Sequence, residues 1–370
     1  MNRHTIAVVV IDDSAFMRRA IQKMLEKEPE IRVVGAAASG EEGIAMVDRL
    51  HPDVITMDVE MPGMGGLEAA RAIVSRRGPP IIMVSALTRD GAETTLHALE
   101  AGAVDFIPKP DSALIDIVNV QRELVEKVKH FGSRGAYLRA MRETTRIARA
   151  AIDAAAARTP AAPPPPRPAA RTAAGAFTCV AIGTSTGGPV ALSQILPKLP
   201  AGFPIPIVVV QHMPPGFTRP LAERLDASSK ISVVEGSDGL PLAPGTAIIA
   251  PAGKELRLRR GSGGVRVVLD DDPRTSLHVP SVDAMASAVA EVFGAGSLGV
   301  ILTGMGQDGV AGLKVIKGRG GFVLGQDEAT SVVYGMPRAA AVAGLVDRVV
   351  PLHAVARALC ELTGVAYAPT

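Results

Sequence analysis

The sequence is poor in several residues on which whole classes of protein depend. Its 370 residues include only two cysteines, Cys179 and Cys360, so no disulfide framework is indicated. Tryptophan is absent and aromatic residues make up 3% of the chain, which argues against a surface that stacks bases or sugars. The formal net charge of +2 is too small to indicate nucleic acid or an anionic membrane as the main partner.

Long apolar runs are missing as well. No run approaches the roughly 20 residues that a membrane-spanning helix needs. Residues 5–11 are apolar, but this run is too short for a signal peptide, and Asp12 and Asp13 end it. Because 47% of the residues are nevertheless apolar, the chain is long and apolar enough for two domains with sizeable cores. We therefore expect a cytoplasmic protein without membrane insertion.

The N-terminal third alternates between short apolar runs and segments with helical spacing. Continuous apolar strands separated by helices are typical of a parallel sheet that is covered on both faces. The predicted strands are Ile6–Ile11, Ile31–Ala36, Val54–Met57, Ile81–Val84 and Val104–Ile107.

Polar residues follow these strands at their C-terminal ends, where parallel sheets carry their chemistry. They are Asp12 and Asp13, Asp58, Ser85 and Lys109. Carboxylates that converge at one edge repel each other, and Mg²⁺ with its preference for oxygen ligands would relieve this. A carboxylate at such a site can attack a phosphoryl group, while a hydroxyl and an ammonium bind its oxygens. Each residue by itself is also compatible with an ordinary strand-end cap.

Residues 4–125 resemble a response-regulator receiver domain. The match includes these strand-end residues and the segment around Asp58, which is Met57-Asp58-Val59-Glu60-Met61-Pro62-Gly63-Met64. The resemblance implies a flavodoxin-like, five-stranded parallel sheet. It also implies that Asp58 accepts a phosphoryl group from a histidine kinase. One departure is Gly65, where the family usually has Asp.

The same resemblance assigns the neighbouring residues. Mg²⁺ would be held by the Asp12–Asp13 pair, by Asp58 and by the backbone carbonyl of Glu60. Ser85 and Lys109 would bind the phosphoryl oxygens. Phe106 occupies the family's aromatic switch position, although a plain core role explains it equally well.

Residues 126–175 are predicted to link two domains. Residues 133–158 are rich in Ala and Arg with a thin apolar stripe, which favours a weakly docked helix. Residues 160–168 contain four consecutive prolines and should be extended.

From residue 176 to 370 the alternation of strands and helices resumes, which predicts a second, doubly wound α/β domain. Two short runs joined by glycines, Leu256–Arg260 and Val265–Asp270, predict an antiparallel hairpin. The predicted strands of the sheet are Cys179–Ile182, Ile205–Val210, Ala247–Ala250, Leu298–Leu302 and Phe322–Leu324.

The turn Gly183-Thr184-Ser185-Thr186-Gly187-Gly188 lies between the first of these strands and a helical segment. A small-residue turn of this kind exposes a hydroxyl at the edge of a sheet and points free N–H groups at it. Ser185 is therefore a candidate nucleophile. A glycine-rich, anion-binding turn in which Ser185 caps the helix fits the same residues.

Two further strand ends supply partners for a nucleophile. His212 follows a buried strand just before Pro214 and Pro215, and Asp308 follows another strand and is expected to cap the helix after it. Serine needs a base and an orienting carboxylate, so the three residues predict a triad, whose members are recognised by geometry rather than order. A core histidine and a simple N-cap are the alternatives. His278, in a loop, is a further residue able to bind substrate.

The C-terminal half of the chain resembles the chemotaxis protein-glutamate methylesterase family. Besides the turn that carries Ser185, the matching segments are Gln211-His212-Met213-Pro214-Pro215-Gly216, Pro280-Ser281-Val282-Asp283, Thr303-Gly304-Met305-Gly306-Gln307-Asp308-Gly309 and Gly335-Met336-Pro337. Together with the receiver domain, the resemblance covers nearly the whole chain outside the linker. Thr184 is a small departure, since the family often has Ala there.

The resemblance implies Ser185 as nucleophile, His212 as general base and then acid, and Asp308 as the orienting carboxylate. N–H groups near Met305 and His212 would stabilise the oxyanion, with Thr186 close by. The implied reaction is hydrolysis of glutamate γ-methyl esters on methyl-accepting chemoreceptors, together with deamidation of receptor glutamines, without a cofactor for the esterase step. The unphosphorylated receiver is expected to cover the cleft.

Two other interpretations remain open. One is a methylesterase of a signalling pathway other than chemotaxis. The other is a non-catalytic binding module that phosphorylation switches, in which the glycine-rich turn holds an anion.

Overall fold

The computed structural model describes residues 5–86, 88–109, 117–133, 177–271 and 278–367. The predicted linker beyond residue 133 lies outside the described residues, as do 272–277. The chain divides into two compact units, and each is described by itself.

The N-terminal unit contains a five-stranded parallel sheet in the order β2-β1-β3-β4-β5. This confirms the predicted receiver architecture. Its elements are β1 (Ile6–Ile11), α1 (Ala15–Leu25), β2 (Ile31–Ala37), α2 (Gly40–Leu50), β3 (Val54–Asp58), α3 (Gly66–Ser75), β4 (Ile81–Ser85), α4 (Arg89–Glu100), β5 (Asp105–Pro108) and α5 (117–133).

Local sequence explains where these elements begin. The strands are apolar throughout because helices cover both faces of the sheet, and all five residues of β3 and of β4 are buried. Ser14 and Ser39 precede α1 and α2, and each accepts a hydrogen bond from an N–H in the first turn. In α2, Oε2 of Glu42 accepts a further bond, at 2.7 Å, from the N–H of Ala38, the residue before this cap.

The C-terminal unit contains a seven-stranded parallel sheet in the order β14-β13-β12-β6-β7-β9-β8, and a two-stranded antiparallel hairpin of β10 and β11. Its strands are β6 (Cys179–Thr184), β7 (Ile207–Gln211), β8 (Ser232–Glu235), β9 (Thr246–Ile249), β10 (Glu255–Gly261), β11 (Gly264–Asp270), β12 (Ser297–Ile301), β13 (Phe322–Gln326) and β14 (Arg348–Val350). Its helices are α6 (Gly188–Ile195), α7 (Thr218–Ser228), α8 (Val282–Phe293), α9 (Val310–Gly318), α10 (Met336–Val342) and α11 (Val355–Thr363).

The predicted strands and hairpin are confirmed, but the two strands at the edges of the sheet were not predicted. The edge strands β8 and β14 have four and three residues, and both are only partly buried. Their apolar character is therefore too weak and too short to stand out from loops.

Helix α8 crosses directly over the central strand β6. A Cβ on Gly183 would lie 2.2 Å from Cγ1 of Val282, so only glycine in β6 permits this close approach. The contact places the N-terminus of α8 above the C-terminal ends of the central strands. Among the described helices, none combines the length and hydropathy needed to cross a bilayer.

Candidate active site

Ser185 and His212 follow neighbouring strands at the same register. In the parallel pair β6 and β7, Thr184 lies opposite Gln211, so the next residue on each strand is one of the two candidates. The N–H of His212 donates to the carbonyl of Thr184 at 3.1 Å, which extends the ladder by one bond. The structure thus brings Ser185 and His212 to one edge of the sheet, as the sequence predicts.

Asp308 reaches the imidazole of His212 from the loop after β12. Its Oδ2 lies 2.8 Å from Nε2 of His212, and both side chains are largely buried. A carboxylate accepts hydrogen bonds, so Nε2 carries the proton and Nδ1 is the nitrogen left to act as a base. The arrangement of His212 and Asp308 therefore has the geometry of the His–Asp half of a catalytic triad.

The expectation that Asp308 caps the helix after it is wrong. Helix α9 begins after Gly309, which makes no side-chain cap. The Asp308 carboxylate instead accepts bonds from the N-terminus of α8, at 2.7 Å from the N–H of Val282, at 3.0 Å from the N–H of Asp283 and at 3.0 Å from the hydroxyl of Ser281.

These donors also set the charge of the carboxylate. Burial by itself would raise the pKa of Asp308, but the bonds from His212 and from the N–H groups of Asp283 and Val282 hold it well below its usual value. Asp308 is therefore ionised and can stabilise a positively charged His212.

Glycines shape the turn that carries Ser185. Gly187, the residue before α6, has a φ of +79°, a conformation that side chains rarely adopt. A Cβ on Gly304, in the loop after β12, would lie 2.9 Å from Cβ of Ser185. The backbone of that loop thus passes directly against the candidate nucleophile.

That loop supplies the candidate oxyanion donor. Among the described residues, the N–H of Met305 has no acceptor. The N–H of His212 is engaged by Thr184, so it is unavailable for the predicted role. Thr186 is buried and its carbonyl accepts a bond from Thr303, at 2.9 Å. The assignment of Met305 and Thr186 to the oxyanion site remains a prediction.

Thr303 is a residue that sequence reasoning missed. Its carbonyl accepts from the N–H of Ser185 and from the hydroxyl of Thr184, at 3.1 and 2.9 Å, and its own N–H donates to the side chain of Gln326 at 2.8 Å. Thr303 thereby fixes the turn of β6 to the end of β12. The signal available in the sequence was its position immediately after a buried strand.

His278 was considered as a substrate-binding residue, and the structure places it against the base. Its ring stacks on that of His212 with centroids 4.3 Å apart and an interplanar angle of 21°. His278 also lines a cleft of about 680 Å³ beside Asp308, together with Arg257 of the hairpin and Ala284 and Ser287 of α8. A cleft of this size is typical of a ligand site.

In the N-terminal unit, the three predicted carboxylates converge. One oxygen each of Asp12, Asp13 and Asp58 lies within 4.8 Å of the others. Asp12 and Asp58 are buried, and within the described ranges Oδ2 of Asp12 has no hydrogen-bond partner. A buried carboxylate oxygen without a donor, beside two further carboxylates, fits a hard divalent cation such as Mg²⁺.

Lys109 lies beside these carboxylates. Its Nζ is 2.6 Å from Oδ2 of Asp58 and 3.7 Å from Oδ2 of Asp12. Burial raises the pKa of Asp58 to about 6, against the opposing effect of Lys109. Although burial disfavours the charge of Lys109, its bond to Asp58 and the surrounding carboxylates raise its pKa overall.

Of the other predicted receiver residues, Ser85 and Glu60 lie at the same sheet edge, whereas Phe106 lies within β5, opposite Met83. Ser85 ends β4 and is buried, and its carbonyl accepts from the N–H of Lys109 at 2.7 Å. Phe106 is buried in β5, and its carbonyl accepts from Lys127 at 2.6 Å. Glu60 is exposed two residues after Asp58, and its N–H donates to Asp58 at 3.3 Å. Metal binding by its carbonyl remains a prediction.

Two known protein families match this chain, one in each of its two units. Residues 180–359 match the CheB methylesterase family, and residues 8–119 match the response regulator receiver domain.

Two full-length relatives are similar over almost the whole chain. The protein-glutamate methylesterase/protein-glutamine glutaminase 1 of Oleidesulfovibrio alaskensis is 47% identical, over 96% of this chain and 98% of that protein. The corresponding protein 2 of Nitratidesulfovibrio vulgaris is 48% identical, with the same coverage. The solved CheB methylesterase catalytic domain of Thermotoga maritima is 44% identical and covers 50% of this chain and 98% of its own, with a TM-score of 0.49. Sequence identity at this level over nearly the full length shows that the chain belongs to the CheB methylesterase family, with a response regulator receiver domain ahead of the esterase domain.

Proposed function

We propose that the C-terminal unit hydrolyses γ-methyl esters of glutamate side chains on chemoreceptors and deamidates receptor glutamines. The observation that carries the proposal is the 2.8 Å contact between Nε2 of His212 and Asp308, one strand away from Ser185. The names of the full-length relatives support the same pair of activities.

The proposed mechanism follows from the protonation of His212. Nδ1 accepts the proton of Ser185 as Oγ attacks the ester carbonyl carbon, and Asp308 stabilises the resulting imidazolium. The oxyanion receives a hydrogen bond from the N–H of Met305. His212 then gives its proton to the departing methoxide, which leaves as methanol, and an acyl-enzyme remains.

Hydrolysis of the acyl-enzyme repeats the proton transfers to and from His212. His212 takes a proton from water, the hydroxide attacks the acyl carbon, and the proton returns to Ser185 as glutamate is released. With a glutamine substrate, ammonia leaves in place of methanol. In both cases recognition must come from the receptor surface around the side chain, because methanol and ammonia are too small to carry specificity.

Control by phosphorylation is part of the proposal. Asp58 would receive a phosphoryl group from a histidine kinase, with Ser85 and Lys109 binding its oxygens and Phe106 responding to the change. Bound by Asp12, Asp13, Asp58 and the carbonyl of Glu60, Mg²⁺ would neutralise charge at this site. We assign residues 4–125 to the receiver, whose last helix α5 continues to residue 133, the rest of 126–175 to the linker and 176–370 to the esterase. We place the protein in the cytoplasm, where the modified receptor segments are.

The experiment is release of methanol from methylated receptor membranes, with and without acetyl phosphate. Ser185→Ala should abolish release, and Ser193→Ala is its control, since that hydroxyl lies in α6 and bonds only within its own helix. Asp58→Asn should keep basal release and lose its stimulation by acetyl phosphate, while Asp48→Asn, at an exposed ion pair, should retain both.

The results separate the alternatives. Release that survives Ser185→Ala would contradict the triad and favour the phosphorylation-switched binding module. Release absent from every form, including wild type, would point to a methylated substrate outside chemotaxis.

A further inference from the structure

Gln211, the last residue of β7, makes two hydrogen bonds that connect the candidate nucleophile to the candidate base. Its side-chain Nε2 donates to the carbonyl of Ser185 and to the carbonyl of His212, each at 2.9 Å. The residue is only 1% exposed. One buried amide therefore spans the two strand ends that carry the proposed chemistry.

We propose that Gln211 is a positioning residue, which holds the backbones of Ser185 and His212 at the spacing that proton transfer between their side chains requires. The inference rests on the proposed roles of those two residues. Gln211 itself touches neither substrate nor reacting atoms, because it is buried beneath the turn.

The two carbonyl acceptors at this position explain why the residue is glutamine. Backbone carbonyls only accept hydrogen bonds, and a primary amide is the neutral side-chain group that offers two N–H donors on one nitrogen. Glutamate at this position would place a carboxylate oxygen against the carbonyl oxygens of Ser185 and His212, where no hydrogen bond can form. Methionine would match the length of glutamine without any donor.

The rest of the turn is arranged around this amide. The carbonyl of Ser185 also accepts from the N–H of Gly188 at 2.8 Å, so both of its lone pairs are used. A Cβ on Gly188 would lie 1.8 Å from Oε1 of Gln211 and 2.5 Å from Oγ1 of Thr184. Glycine at the start of α6 is therefore what leaves room for the amide.

Oε1 of Gln211 supports the same interpretation. It is buried and has no hydrogen-bond partner in the part of the chain that the structure describes. The nitrogen end of the amide is the end that makes contacts, and both contacts go to the two proposed catalytic residues.

The test measures kcat and KM for methanol release by the full-length protein, across a pH series. Gln211→Met and Gln211→Glu should lower kcat about 10- to 100-fold, because small displacements of reacting groups have effects of this size, and should leave KM within about threefold.

Gly188→Ala should also lower kcat, even though alanine favours a helix more than glycine does. The double variant Gly188→Ala/Gln211→Ala should lose less kcat than the two single variants combined, since the contact of the added methyl with the Gln211 amide is then gone and only its contact with Oγ1 of Thr184 remains.

Ser297→Ala is the matched control. It removes a buried hydrogen bond at the start of β12, the opposite end of the sheet, and should leave kcat unchanged. A purely structural role for Gln211 would lower the melting temperature and leave kcat per folded molecule at the wild-type value, which would overturn the inference.

The two proposals fail differently. If Ser185→Ala abolishes release while the Gln211 and Gly188 variants keep wild-type kcat, the positioning role is refuted and the triad stands. If Ser185→Ala retains release, the triad itself is refuted. Should Gln211→Met fail to fold, Gly188→Ala tests the same contact without replacing Gln211.

Discussion

The Asp308 carboxylate caps α8, the helix that contains Asp283, and the Asp283 carboxylate in turn caps α9, the helix that follows Asp308. Asp308 accepts from the first N–H groups of α8, at 2.7 Å from Val282 and 3.0 Å from Asp283. Oδ1 of Asp283 accepts from the N–H of Gly309 at 2.9 Å and of Gly312 at 2.8 Å, where α9 begins. Because helix N-termini favour negative charge, this exchange locks the loop of Asp308 in place beside His212.

Removing Asp283 should therefore affect both folding and activity. Asp283→Ala should destabilise the C-terminal unit by about 1–2 kcal/mol, the usual effect of losing an N-terminal cap, and should lower kcat because the Asp308 loop loses its anchor. Chemical denaturation and methanol release measure the two effects. Asp283→Asn keeps an acceptor and should retain more of both, and equal losses in the two variants would contradict the capping role.

Asp308→Asn should lower kcat by about 10³- to 10⁴-fold with little change in KM, since an amide neither stabilises the imidazolium of His212 nor fixes its tautomer. Initial rates of methanol release at saturating receptor measure this. Asp226→Asn is the control, because that carboxylate accepts from the N–H of Val233 and lies outside the site. A loss in the control of comparable size would indicate general misfolding instead.

A methyl group at Gly304 should displace the nucleophile. The Cβ of Gly304→Ala would lie 2.3 Å from Sδ of Met336 and 2.9 Å from Cβ of Ser185, and since both distances are too short, moving Met336 alone does not relieve the contact with Ser185. We expect at least a tenfold loss of kcat. Gly261→Ala, in the hairpin, should retain full activity, because no atom of the described residues lies within 4 Å of the new Cβ. Full activity of Gly304→Ala would show that Ser185 tolerates displacement.

The stability of the receiver should depend on pH through Asp58. Its pKa is about 6 in the folded chain and 3.8 in the reference state, so the folded state binds the proton more tightly. Stability therefore falls as pH rises from about 4 to about 6 and stays lower above that range. Asp58→Asn removes the charge and should stabilise the metal-free receiver at pH 7 by up to about 3 kcal/mol, with little effect near pH 4.

Calorimetry in the presence of a chelator tests this, with the exposed Asp48→Asn as control. Adding Mg²⁺ should narrow the difference between wild type and Asp58→Asn, since the cation binds the ionised carboxylates. A difference that is independent of pH, or that Mg²⁺ leaves unchanged, would contradict the assignment of Asp58 to the metal site.

Much of this architecture was predictable from local sequence. Buried parallel strands are continuous apolar runs, and β3, β4, β7 and β12 were found for that reason. The short, half-exposed edge strands β8 and β14 carry no such signal and were missed. The polar residue after each buried strand was also visible, because parallel strands present their C-terminal ends at one edge.

By itself, the sequence determined that Ser185, His212 and Asp308 lie at strand ends, since the end of an apolar run is a local property. Only the tertiary structure decided how these ends are joined. His212 and Asp308 are 96 residues apart, and Asp308 binds the N-terminus of α8 rather than that of its own helix. Likewise, the amide of Gln211 reaches a carbonyl 26 residues away. Strand order and helix packing create these contacts, and a hydrogen bond forms with whichever donor the fold brings within about 3 Å.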